Sequence, residues 1–132
     1  MHSIADFSRA IELSPTAEAY NNRGNIHFSQ KQFPEAISDF GDSIKLKESA
    51  EAYTNRGTAY EESGDDNLAL LDLNQAIRLN DKFARAYAVR GIVSLKLKQE
   101  QSAQKDFAKA FQLEPGLHAE FDPIIEQLRA KS

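Results

Sequence analysis

Apolar residues along this chain fall three and four positions apart and do not alternate. Phe7, Ala10 and Leu13 start the series; Ala36, Phe40, Ser43 and Leu46 carry it on. Ala69, Leu73, Ala76 and Leu79 follow, then Ala103, Phe107, Ala110 and Leu113. Such spacing places each set on one stripe of a helix. Between these stripes lies a second pattern. Tyr20-Asn21-Asn22-Arg23-Gly24 recurs as Tyr53-Thr54-Asn55-Arg56-Gly57 and as Tyr87-Ala88-Val89-Arg90-Gly91, with the tyrosines 33 and then 34 residues apart. The extra residue lies between Leu79 and Tyr87. No stretch carries a strand signal. Each unit therefore reads as two amphipathic helices.

The breaks fall where two-helix units require them. Gly64-Asp65-Asp66 is a helix stop followed by a capping signal. Phe33-Pro34 puts proline in a helix's first turn, where its missing N–H costs nothing. Ser14-Pro15 and Glu114-Pro115-Gly116 end two other helices. The small residues Gly24, Gly57 and Gly91 on the first helices, and Ala36, Ala69 and Ala103 on the second, allow the two to approach closely. One hairpin cannot bury its own apolar face, so the hairpins must stack. Tyr20, Tyr53 and Tyr87, with the phenylalanines, fill the space between hairpins.

These residues resemble the tetratricopeptide repeat, whose signature sets an aromatic, a Leu-Gly pair, a second aromatic, then Ala, Phe and Pro over about 34 residues. Three full repeats (16–48, 49–82 and 83–115) follow the second half of another at 3–15. There are departures. Arginine stands in every leucine slot; the second aromatic slot holds His27, Tyr60 and Ser94; the closing proline is Glu48 and Asp81 in the first two full repeats. The resemblance implies an all-α, right-handed superhelical stack of antiparallel helix pairs forming one domain, an α-solenoid. It implies a protein-interaction scaffold that takes a peptide or partner segment in its concave groove.

The ends differ. In segment 116–131, Phe121, Ile124, Ile125 and Leu128 repeat the spacing of Tyr87, Arg90, Gly91 and Ser94. This reads as a capping helix, with isoleucine replacing the glycine because no second helix follows. Pro123 near its start is expected to kink or delay it. At the other end Ser3 to Leu13 is a second helix without its first. Either the array continues upstream, which is the favoured account, or this edge meets another copy. Both predict an exposed apolar edge, around Ile4, Phe7 and Ile11, able to drive dimerisation.

Arg23, Arg56 and Arg90 recur in step with Asp6, Asp39, Asp72 and Asp106, each of which directly precedes the large apolar residue of a second helix. This predicts a ladder of interhelical salt bridges. The favoured pairing joins each arginine to the preceding unit: Asp6–Arg23, Asp39–Arg56 and Asp72–Arg90. Pairing within a unit is the alternative and would leave Asp6 alone. Such pairs fix register more than they add net stability.

Composition narrows the partners. The 132 residues are 41% hydrophobic and 27% charged, with net charge −4. A general nucleic-acid binder needs a basic face to displace counterions, and a polybasic membrane anchor needs the same. No nucleic acid is expected as partner, and no membrane insertion. The absence of cysteine fits a reducing compartment, and a cytoplasmic location is expected. No catalytic set stands out. His2, His27 and His118 fall in three different elements without zinc-ligand spacing. His27 is expected to pack in the core. Glu61-Glu62 and Asp65-Asp66 read as turn and capping residues. No enzyme activity, cofactor or metal is expected.

The first helices should line the inner face. Positions free of packing duties are Glu18, Asn21, Asn22, Asn25, Phe28 and Ser29, then Glu51, Thr54, Asn55, Thr58, Glu61 and Glu62. Arg85, Ala88, Val89, Ile92, Leu95 and Lys96 complete the set. An asparagine amide donates to and accepts from a peptide backbone at once, which suits Asn21, Asn25 and Asn55 to gripping an extended chain. The expected binding set adds Thr58, Arg85 and Lys96, with Val89 and Ile92 either receiving an apolar anchor or packing under the capping helix. Some members of the resembled family clamp the carboxylates of chaperone tails. Asn25, Asn55 and Arg85 match three of the clamp's slots, whereas Asn21 and Val89 stand where it has basic residues. A role as a co-chaperone for acidic C-terminal tails is thus a weak alternative.

Overall fold

The computed structural model describes residues 3–131. Among them are eight α-helices: α1 (Ile4–Leu13), α2 (Ala17–Ser29), α3 (Phe33–Leu46), α4 (Ala50–Glu62), α5 (Asp66–Leu79), α6 (Ala84–Lys96), α7 (Glu100–Leu113) and α8 (His118–Ala130). A single 3-10 turn, Pro115–Leu117, leads into α8. No strand occurs among the described residues, and none of the helices is long and apolar enough to cross a membrane.

Local chemistry sets the helix ends. The side chains of Ser3, Thr16, Ser49 and Asp65 accept from the backbone N–H three residues on, at 3.1, 3.1, 3.0 and 3.3 Å. Each satisfies a donor that a helix start leaves without a partner. The three hairpin turns share one geometry. Lys31, Gly64 and Lys98 adopt positive φ (61°, 90° and 61°). The following N–H reaches back to the carbonyls of His27, Tyr60 and Ser94, 2.8 Å in each case. This is the Schellman ending, for which glycine is the unstrained choice.

Within each hairpin the glycine is where the helices touch. A methyl group on Gly24 would stand 2.6 Å from Phe40 Cε1, and one on Gly91 would stand 2.5 Å from Phe107 Cε1. At Gly57 the neighbour is Leu73, at 3.1 Å. Between hairpins, Tyr53 donates to Glu48 Oε1 (3.0 Å) and Tyr87 to the Asp81 carbonyl (2.9 Å). The two residues in the closing-proline slot therefore receive the next unit's tyrosine.

The core thickens towards the C-terminus. Leu73, Tyr87, Val89, Ile92, Val93 and Phe107 join Leu117, Phe121 and Ile125 of the cap in one cluster. By contrast, no residue of α1 is fully buried.

Two features of the packing differ from expectation. The arginine ladder exists, but its register is within each hairpin. Arg23 pairs with Asp39, Arg56 with Asp72 and Arg90 with Asp106, each through Nε and Nη2 at 2.7–2.8 Å. The pairings Asp6–Arg23, Asp39–Arg56 and Asp72–Arg90 are not formed, and Asp6 is exposed. The reason is geometric: antiparallel packing around the glycine brings position 24 against position 39 of the same hairpin. The other correction concerns Pro123, which does not delay α8. The 3-10 turn pre-winds the chain and the helix begins at His118, ahead of the proline. The carbonyl freed by the missing N–H belongs to Ala119, which faces solvent.

Candidate functional site

The four helices that occupy first positions, α2, α4, α6 and α8, line one groove. Two cavities form it. The smaller, about 250 Å³, lies among Asn25, Phe28, Phe40, Asn55, Thr58 and Arg85. The larger, about 500 Å³, runs from Phe28, Thr58 and Arg85 over Val89 and Ile92 to Phe121, Ile124 and Leu128 of α8. Because Phe28, Thr58 and Arg85 border both, the two adjoin along the groove. Ligand clefts of a few hundred Å³ with an apolar floor and a few convergent polar groups are the usual form of a binding site.

The expected inner-face residues divide into three groups. Asn25, Asn55, Thr58 and Arg85 come together around the smaller cavity. Asn25 is exposed and the other three are half-buried. Asn21 lies away from this cleft, in a shallower one beside Glu18, Asn22 and Glu51. Its amide is also occupied: Asn21 accepts from Asn55 Nδ2 (3.0 Å) and donates to Glu51 Oε1 (3.3 Å). Val89 and Ile92 are each 3% exposed and belong to the core, touching the larger cavity from beneath. Thr54 and Ala88, expected on display, are fully buried, and Glu61 nearly so. The cause is that α4 packs more closely on α6, and α6 on α8, than α2 does on α4. Equivalent sequence positions are thus open near α2 and covered near α6.

Two cations of the groove are already paired. Arg85 grips Glu120 of α8 with two hydrogen bonds, Nη1 to Oε2 at 2.8 Å and Nη2 to Oε1 at 2.5 Å. The Arg85 hydrogen bonds hold the Glu120 carboxyl below the ordinary carboxylate range. The Arg85 guanidinium also lies 5.4 Å from the Phe121 ring centroid. Lys96 is paired with Glu61. Burial pushes the Glu61 carboxyl above its ordinary range, against the pull of Lys96.

Helix α8, expected only to cap the stack, also contributes a wall of the groove. Glu120, Phe121, Ile124, Gln127 and Leu128 all face the larger cavity. The signal was present. A helix placed where a first helix belongs must also face the groove, and Glu120 directly precedes the aromatic slot residue Phe121. His27, expected in the core, is half-buried and shared between Gln32 (2.6 Å) and Asp39 (3.7 Å). Among the described residues no group of side chains is arranged to hold a metal ion.

Comparison with known proteins agrees with this architecture. Among solved structures, the Arabidopsis OM64 TPR domain is 28% identical with a TM-score of 0.78, the match covering 89% of this chain and 97% of that one. The first TPR of Spaghetti (RPAP3), solved bound to the HSP90 peptide SRMEEVD, is 28% identical with a TM-score of 0.75, over 88% and 95% of the two chains. MamA is 25% identical with a TM-score of 0.77, and the match covers 86% of this chain and 67% of that one. A search of curated proteins finds no match. The tetratricopeptide repeat description matches residues 17–49, 50–83 and 84–116. With three adjoining matches over most of its length and a stack of hairpins to go with them, the chain belongs to the tetratricopeptide repeat family of protein-interaction scaffolds.

Proposed function

We propose that this scaffold binds an extended peptide or partner segment in the cleft between α2 and α8. The observation that carries this reading is that two cavities adjoin along the groove, sharing Phe28, Thr58 and Arg85 as their common border. A segment lying along it meets amides at one end and an apolar floor at the other. Asn25 has an exposed side chain free to exchange hydrogen bonds with a backbone. Similar domains solved with the HSP90 peptide SRMEEVD support a peptide as ligand. The test is capture of partners from a lysate by the wild-type chain and by Asn25→Ala/Asn55→Ala. The double variant is expected to lose the specific partners, and an unchanged set places binding elsewhere.

A second reading is self-association through the N-terminal edge. It is favoured by α1, none of whose residues is fully buried, with Ile4 and Ile11 of its apolar stripe only half-covered. Its test is the oligomeric state in solution. Neither reading involves catalysis.

A further inference from the structure

Arg85 is the cation that borders both cavities, and its two terminal nitrogens already grip a carboxylate from the capping helix. Both side chains remain accessible, 39% exposed for Arg85 and 50% for Glu120. The pair is therefore not a buried structural bridge. It stands at the cleft's wall, where an incoming ligand would meet it. The larger cavity carries three carboxylates (Glu61, Glu62, Glu120) and three cations (Arg85, Lys96, Lys131), so its charges cancel.

We propose that Glu120 is a built-in competitor for Arg85, which reserves the groove for uncharged, apolar-anchored segments and excludes acidic ones. This rests on the groove reading above and adds the class of ligand. An acidic ligand gains little from Arg85, because it must displace an equivalent bidentate carboxylate that stays tethered beside it. Once displaced, Glu120 repels the ligand that replaced it. An uncharged segment leaves the pair intact and buries the apolar surface that Phe28, Ile124 and Leu128 still expose to the cavity. Selectivity here comes from an element that disfavours the wrong ligand. Removing the Glu120 charge leaves two carboxylates against three cations and an arginine without a partner.

The experiment measures fluorescence anisotropy with two labelled peptides. One is SRMEEVD, the ligand of similar domains; the other is its carboxylate-free counterpart SRMQQVN with an amidated end. Wild type is compared with Glu120→Gln and with Glu120→Gln/Arg85→Gln. Glu120 is a surface residue of α8, so folding is expected to persist; Glu120→Ala provides a second variant with the same expected direction. Glu120→Gln should raise affinity for SRMEEVD relative to SRMQQVN by about tenfold, roughly the effect of one charge-assisted bidentate pair. The gain should shrink with added salt and disappear in the double variant. An unchanged ratio overturns the proposal, as does a gain that survives loss of Arg85. Absence of binding by Glu120→Gln to either peptide also overturns it. The groove reading itself stands or falls separately, on partner capture by Asn25→Ala/Asn55→Ala.

Discussion

The repeated arginine has more to do than form one ion pair. Two of its nitrogens hold the aspartate of its own hairpin, and its guanidinium lies 5.6–5.7 Å from the ring of the tyrosine three residues earlier. The remaining nitrogen reaches the preceding unit: Arg23 Nη1 donates to Ser8 Oγ and Arg90 Nη1 to Asn74 Oδ1, both at 3.0 Å. The corresponding position for Arg56 is Gly41, which has no side chain to offer. A methyl group there would meet Arg56 Nη1 at 3.5 Å, an ordinary contact. Gly41→Ser should therefore stabilise the chain in two ways. Serine is a better helix former than glycine, and its hydroxyl completes the bracket to a charged donor. The expected gain is about 1 kcal/mol, read as a higher denaturation midpoint. A loss of stability would show that the bracket is not what holds successive hairpins. The pairing of arginine with aspartate was legible from their shared period. Which aspartate was not, because period alone does not distinguish a partner in the same hairpin from one in the hairpin before.

At the scale of the helix pair, the glycines decide how close two helices come, but not equally. Gly91 faces the ring of Phe107, with three ring atoms within 2.9 Å of an added methyl group. Gly57 faces the smaller Leu73, at 3.1 Å. Gly91→Ala should cost about 1–3 kcal/mol through overpacking. Gly57→Ala should be close to neutral, since about 1 kcal/mol of helix propensity offsets a milder contact. Adding Phe107→Leu to Gly91→Ala reproduces the arrangement of the middle unit, and the double variant should lose less than the sum of the two singles. Urea denaturation of the four chains checks this, and strict additivity would mean that the ring is not what the glycine accommodates. Helix limits were readable because caps and breaks act locally: Thr16, Asp65, Pro34 and Pro115 each stand where an end occurs. The left-handed turns at Lys31 and Lys98 were less legible, because nothing about lysine marks that conformation. They became visible only as counterparts of Gly64.

At the scale of the whole molecule, the two ends of the stack are unlike. The C-terminal end is closed by Phe121 and Ile125 (4% and 6% exposed), while no residue of α1 is fully buried. If the self-association reading holds, sedimentation should show a coefficient that rises with protein concentration. The rise should persist at high salt, since contact between apolar faces is not screened as surface charges are. A coefficient independent of concentration removes that reading. The sequence by itself determined the helices, their pairing into hairpins, the number of units and the place of the cap. These follow from periodicity, capping and close-approach residues, which are properties of short stretches of chain. Only the tertiary structure decided which hairpin each arginine clasps, and that Thr54 and Ala88 are covered while Asn25 stays open. It also decided that Arg85 and Lys96 meet Glu120 and Glu61, 35 residues away. Those outcomes depend on how closely successive hairpins approach and on what a long side chain can reach across the gap. Neither quantity is contained in the spacing of residues along one strand of sequence.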